Sequence, residues 1–216
     1  MQTELRMARV PAAHAAQVVD VLCEAFRDYP VMRYVLGDAH DYERRLQQMI
    51  GLFVAARALR DDVMLGFHHG AELVAVATTS DPAAPAHPDF ARLRDEVWAS
   101  LGADALERYQ HCVAAWESLA SHAPQLHINM LGVRDAVRGT GLGRRLVAAV
   151  HALAGNDARC TGVSLTTETP ANVPFYQHLG YQIIGEAGIA PGLRTWSFFW
   201  TNKLRPADFD QRTSTS

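Results

Sequence analysis

Val18, Leu22 and Phe26 recur at helical spacing, which predicts an N-terminal helix ending before Pro30. The same period predicts a second helix from Tyr42 to Ala58. Val63–Phe67 and Glu72–Thr79 are β-prone runs separated by His68-His69-Gly70-Ala71, the pattern of a hairpin. Pro82, Pro85 and Pro88 make the stretch from Asp81 a surface loop. Leu93, Val97 and Leu101, then Leu106, Val113, Trp116 and Leu119, predict two helices broken near Gly102. Leu126–Val133 reads as a central strand, and Leu142, Leu146, Val150 and Leu153 form the apolar stripe of the helix that follows it. A strand at Gly162–Thr167, a short helix at Asn172–Leu179 and strands at Tyr181–Gly185 and Thr195–Lys203 complete the pattern. The order predicts an α/β protein with a mixed sheet, one domain over residues 1–204 and a disordered polar tail from Arg205.

Composition adds limits. A chain of 216 residues, 49% hydrophobic, is long enough for one core. The net charge of −3 gives no general attraction to nucleic acid or to a membrane surface, and no apolar run approaches the length of a spanning helix. Cys23, Cys112 and Cys160 lack metal-ligand or disulfide spacing, and the first twenty residues lack a secretory apolar region. A reduced, cytoplasmic protein is expected. The ten histidines form no metal-ligand pattern: His68 and His69 are adjacent and would face opposite sides of a strand, so no metal is expected. His127, opening the central strand, is expected to be structural or to line a substrate site.

The chemistry concentrates in Arg138-Gly139-Thr140-Gly141-Leu142-Gly143, between the central strand and its helix. The first amides of a helix have no intrahelical acceptor, and glycines let a phosphate approach them closely. Arg138, Arg144 and Arg145 add guanidinium charge. Three phosphate motifs compete here. A P-loop needs a lysine after its last glycine, but Gly143 precedes Arg144 and the sole lysine is Lys203. A dinucleotide fingerprint would need a third glycine at Arg144 and an acidic partner, for which only Asp157 is at hand. The third pattern, Arg/Gln-x-x-Gly-x-Gly/Ala, is met by Arg138, Gly141 and Gly143. A plain turn opening a helix, with no ligand, would also satisfy the local pattern.

About thirty residues on, Asn172-Val173-Pro174-Phe175-Tyr176-Gln177-His178-Leu179-Gly180-Tyr181 supplies a second motif. The two, in this order, resemble the acyl-CoA-dependent N-acyltransferases of the GNAT superfamily. Thr166–Tyr181, Pro191–Trp196 and Ala25–Pro30 resemble its puromycin N-acetyltransferase branch in particular. The resemblance implies a GNAT fold, whose mixed sheet splays at its centre to admit acetyl-CoA as co-substrate. It assigns the amides from Arg138 through Gly139, Thr140, Gly141, Leu142 and Gly143 to Arg144 to the pyrophosphate. It assigns the backbone of Leu131, Gly132 and Val133 to the pantetheine arm and thioester carbonyl. Gly132 is expected to mark the bulge that the splay requires. Asn172 is expected to cap its helix, to bond the pantetheine arm, or both.

By the same resemblance Tyr176 gives a proton to the departing thiolate; as a residue it is equally suited to pack the short helix on the sheet. The puromycin branch carries a glutamate where this chain has Thr166; Glu168 lies two residues on, on the same face if strand alternation continues. Glu168 is therefore the candidate base. An amine of pKa near 10.4 costs about 4 kcal/mol to neutralise at pH 7 and one near 8 only about 1, so water could replace it for weakly basic amines. Asp28, Tyr29, Tyr34 and Trp196 are candidates for the acceptor pocket, since aromatics with a carboxylate suit a cation, although they are also ordinary core residues. The implied activity is direct acetyl transfer to the primary amine of a small molecule, an antibiotic or metabolite, by a monomer or homodimer. The alternative is a non-catalytic acyl-CoA sensor, which Thr166 keeps open.

Overall fold

A computed structural model describes residues 4–38 and 40–202 of the chain. The expected tail beyond Arg205 and the end of the last strand at Lys203 lie outside the described residues. Among the described residues, seven strands form one sheet in the order β1-β2-β3-β4-β5-β7-β6. They are β1 (Leu5–Arg9), β2 (Met64–His69), β3 (Glu72–Ser80), β4 (Gln125–Val133), β5 (Gly162–Thr167), β6 (Gln182–Ala190) and β7 (Leu193–Thr201). All neighbours are antiparallel except β4 and β5. That parallel pair is joined by a crossover helix, α6 (Leu142–Asn156), as parallel strands require.

Each sheet face buries its own apolar layer. One faces α1 (Ala15–Phe26), α2 (Pro30–Leu36), α3 (Tyr42–Leu59), α4 (Phe90–Leu101) and α5 (Ala103–Glu117), with Leu22, Ile50, Val76 and Met130 at its centre. The other faces α6 and α7 (Asn172–His178), with Leu146, Val150, Val163 and Phe198 buried. The helix pair broken at Gly102, the β2–β3 hairpin and α6 follow the sequence pattern.

Two elements escaped that pattern. β1 is an edge strand of LRMAR, half-exposed and interrupted by arginine, so it lacks an apolar alternation. α2 begins at Pro30, which the sequence suggested as a stop; proline is also at home in the first turn of a helix, where its missing N–H has no acceptor to lose. Two expectations need correcting. His68 and His69 belong to β2, so the hairpin turn is Gly70 and Ala71 alone. The bulge in β4 falls at Asn129, not Gly132: Thr79 faces Ile128 and Thr78 faces Met130, leaving Asn129 as the extra residue. Gly132 serves a different need, because a Cβ there would sit 2.9 Å from Leu22 Cδ2 and 3.1 Å from Ala25 Cβ on α1.

The centre of the sheet opens just past the bulge. β4 and β5 pair from Gln125 opposite Gly162 to Ile128 opposite Leu165, and there the ladder stops. β4 continues to Val133 and β5 to Thr167 without pairing to each other. Backbone groups along the β5 side of residues 129–133 are therefore left facing a gap.

Candidate active site

The glycine loop stands at the end of β4. A 3-10 turn at Asp135–Val137 leads into Gly139 (φ 81°) and Gly141 (φ 85°, ψ 6°), both left-handed, and Gly141 caps α6. L-residues rarely take those angles, which is why glycine stands at both. Nothing lies within 4 Å of where their Cβ atoms would be, so both face open space. The Arg138 N–H donates to the Asp135 carbonyl (3.2 Å) and the Thr140 N–H to that of Val137 (3.4 Å). These two amides are already bonded, which narrows the expected phosphate-facing set to Gly139, Gly141, Leu142, Gly143 and Arg144. The Arg138 guanidinium pairs with Asp135 at 2.7 Å, whereas Arg144 is exposed with no ion-pair partner among the described residues. A cavity of about 310 Å³ lies over the loop, bounded by Val133, Arg138, Gly139, Gly141, Leu142, Gly143, Arg144 and Phe175. Open amides at a helix start, two left-handed glycines and guanidinium charge around one cavity fit a diphosphate.

The loop is fastened from behind. Glu24 on α1 accepts from Arg134 Nη1 (2.6 Å) and from the Asp135 N–H (2.7 Å). Arg134 also donates through Nε to the Leu73 carbonyl, and its own N–H donates to Val74 on β3. Leu131 and Val133 pack toward α6 and Gly132 toward α1, so β4 presents its backbone, not a polar side chain, at the gap.

Phe175 lines the loop cavity, and its neighbour Tyr176 turns into the sheet, 8% exposed, with ring centroids 5.6 Å from Phe198 and 5.8 Å from Tyr181. The Tyr176 hydroxyl has no hydrogen-bond partner among the described residues. Burial first, and then the carboxylate of Glu168, push its pKa well above the ordinary phenol value, so it holds its proton at neutral pH. Asn172 does not cap α7: Ala171 occupies that position and no side chain bonds the first turn. Its Nδ2 donates instead to Thr167 Oγ1 at 3.1 Å, tying α7 to the end of β5.

Glu168 follows β5 directly and is 6% exposed. Its Oε1 accepts from Trp116 Nε1 (2.9 Å) and Thr195 Oγ1 (2.6 Å), and its Oε2 from the Tyr29 hydroxyl (2.9 Å). Thr195 and Ser197 share the face of the sheet that Thr166 occupies opposite Ser197, so Glu168 continues the alternation past the strand's end. It turns toward α5 and the α1–α2 junction.

The four acceptor candidates do not converge. Tyr29 joins Glu168. Asp28 is exposed and paired with Arg33 at 2.5 Å. Tyr34 meets His111 Nδ1 at 3.1 Å on α5. Trp196 packs on the α6 face, away from Glu168. Neither Trp116 nor Thr195 was singled out in the sequence: one reads as a rung of an apolar stripe, the other as a strand residue. His127, bonded to Ser164 Oγ at 2.8 Å, is lowered to about 4, by burial first and then by Arg57, and so is neutral at pH 7. Among the described residues no group of histidine, cysteine or carboxylate side chains could hold a metal, and no helix is long and apolar enough to cross a membrane.

A mixed seven-stranded sheet, parted between its parallel strands and flanked by helices, with a glycine loop at the parting, is the architecture of the GNAT acetyltransferases. Residues 96–183 match the acetyltransferase (GNAT) domain family model. The chain is 38% identical over 58 residues to the blasticidin-S acetyltransferase of Streptomyces morookaense. That match spans 27% of this chain and less than half, 43%, of the relative. A solved structure described as a histone acetyltransferase HPA2 and related acetyltransferase, from Corynebacterium glutamicum, has the same fold (TM-score 0.68, 17% identity, 91% of this chain and 96% of that one). So has the polyamine N-acetyltransferase of Drosophila melanogaster (TM-score 0.62, 19% identity, 92% of this chain and 100% of that one).

Proposed function

We propose that this chain is an acetyl-CoA-dependent N-acetyltransferase that acetylates the primary amine of a small molecule by direct transfer. The observation that carries the proposal is the single cavity shared by the open amides of the glycine loop and by Phe175, beside the buried phenol of Tyr176. The amides of Gly139 and of Gly141 through Arg144 hold the diphosphate. The unpaired edge of β4 receives the amide-bearing arm as a further strand would. Tyr176 holds a proton that burial keeps on it and gives it to the sulfur as the thiolate departs. Glu168 is the carboxylate at the acceptor side; the proton lost by the amine goes to it or to water. Acetyl-CoA supplies the activated acyl group and leaves as the free thiol.

The relative from Streptomyces morookaense and the Drosophila melanogaster neighbour are named for an antibiotic and for polyamines, both carrying amines, which supports an amine acceptor. The resemblance of Ala25–Pro30 and Thr166–Tyr181 to the puromycin branch favours an antibiotic or related metabolite among these. The test is thiol release from acetyl-CoA across a panel of aliphatic, polyamine and nucleoside-antibiotic amines, with Tyr176→Phe as control. Amine-dependent release is expected, falling on the order of 10²-fold in the variant. Saturable CoA binding with no release for any amine would instead mark an acyl-CoA sensor.

A further inference from the structure

We infer that Trp116 and Tyr29 are positioning residues that aim one open lone pair of Glu168 at the acceptor amine. The inference rests on the acetyltransferase proposal and extends it to how the acceptor is recognised.

A carboxylate offers about four acceptor positions. In Glu168, Oε1 takes two donors, the Trp116 indole N–H and the Thr195 hydroxyl, while Oε2 takes only the Tyr29 hydroxyl. One position on Oε2 is open. The three donors come from α5, β7 and the α1–α2 junction, so the carboxylate plane is fixed from three directions. The direction of the open position is fixed with it.

All three donors are neutral. A buried carboxylate is ordinarily matched by a cation, because neutral hydrogen bonds replace its hydration without offsetting its charge. Among the described residues Glu168 has no ion-pair partner, and the groups that feel its charge, Tyr29, Cys112 on α5 and Tyr176 on α7, carry no positive charge. An acceptor arriving as an ammonium ion supplies what this site lacks. The Tyr29 hydroxyl also accepts from Glu168's own N–H (2.9 Å) and lies 3.1 Å from Thr167 Oγ1, which accepts from Asn172. A continuous chain of hydrogen bonds thus joins the acceptor side to α7, the helix that carries Tyr176.

The indole is held as firmly as the carboxylate. Its ring meets Tyr109 edge-on (centroids 6.0 Å, 71°), and Tyr109 stacks on Trp98 of α4 (4.7 Å) and leans on Phe53 of α3 (5.8 Å). Through that aromatic series the α4–α5 hairpin, between β3 and β4, delivers one N–H to the site.

Trp116→Phe and Tyr29→Phe keep the rings and remove one donor each; Thr195→Val removes the third at nearly constant volume. With the best amine of the panel, KM for the amine is expected to rise on the order of 10-fold in each, because a hydrogen bond to a charged group is lost. KM for acetyl-CoA should hold, while the melting temperature falls by several degrees because a hydrogen bond to a buried carboxylate is lost. Thr195→Ser, which restores a hydroxyl, should recover what Thr195→Val loses. An unchanged amine KM in all three, or an acetyl-CoA KM that rises in parallel with the amine KM, would overturn the inference. Should Trp116→Phe fail to fold, Tyr29→Phe and the Thr195 pair decide alone. A wild-type protein inert toward every amine refutes the parent proposal, whereas an active enzyme whose amine KM ignores these substitutions refutes only this one.

Discussion

Two side chains of the candidate site, Tyr176 and Glu168, are each set by their surroundings. Tyr176 keeps its proton because it is enclosed by aromatic rings and faces a carboxylate. Glu168 keeps its orientation because three donors converge on it. His151, on α6, shows the same physics outside the site: it stacks on Trp200 (3.9 Å, 7°), its buried Nε2 has no hydrogen-bond partner among the described residues, and burial lowers it from 6.5 to about 4. Its consequence for stability has a definite sign. The folded protein keeps His151 neutral below pH 6.5, while the unfolded chain binds a proton there. The unfolded state therefore gains more protons between pH 6.5 and 4, and stability falls as pH falls through that window. His127, also lowered to about 4, adds to the effect. His151→Phe keeps the stack and removes the titrating group, so its melting temperature should drop less between pH 7 and pH 5 than that of the wild type.

At the scale of elements, the Glu24 carboxylate holds α1 against the turn that launches the glycine loop. It joins Arg134 and the Asp135 amide across a separation of more than a hundred residues. Glu24→Ala removes two charge-assisted hydrogen bonds and leaves Glu72 as the ion-pair partner of Arg134 among the described residues. A loss of about 1–3 kcal/mol in urea unfolding is expected, with weaker CoA binding by titration calorimetry. The elements also show what sequence pattern can convey. α6 and its loop were legible because their signal is local: an apolar stripe at 3.6-residue spacing, and glycines where φ is positive. α2 was hidden because one proline serves as well at a helix start as at a stop. The bulge was assigned to Gly132 because glycine is the usual mark of one, but register depends on the partner strand, and Asn129 is the residue left over.

For the whole molecule, the two faces of one sheet carry different work. The α6–α7 face builds the glycine-loop cavity and holds Tyr176; the α1–α5 face builds the surroundings of Glu168. Ligand linkage offers a test at this scale. CoA at about 100 times its Kd should stabilise the fold by about 2.7 kcal/mol, raising the melting temperature by roughly 5–10 °C for a domain of this size. NAD and ATP should leave it unchanged, because the loop lacks both the third glycine and the lysine their sites require. A larger shift with NAD or ATP than with CoA would exclude a diphosphate–pantetheine ligand for this loop.

By itself the sequence determined the fold class, the glycine loop with its helix, and Tyr176 on a short helix thirty residues later. Each of these is written in neighbouring residues, through backbone conformations and periodicities that act over a few positions. It also offered Glu168 as a carboxylate two residues from its expected place. Only the tertiary structure decided what surrounds that carboxylate. Its donors lie 139, 52 and 27 residues away in the chain, and an indole N–H or a hydroxyl has no pattern of its own until packing brings it within hydrogen-bond reach.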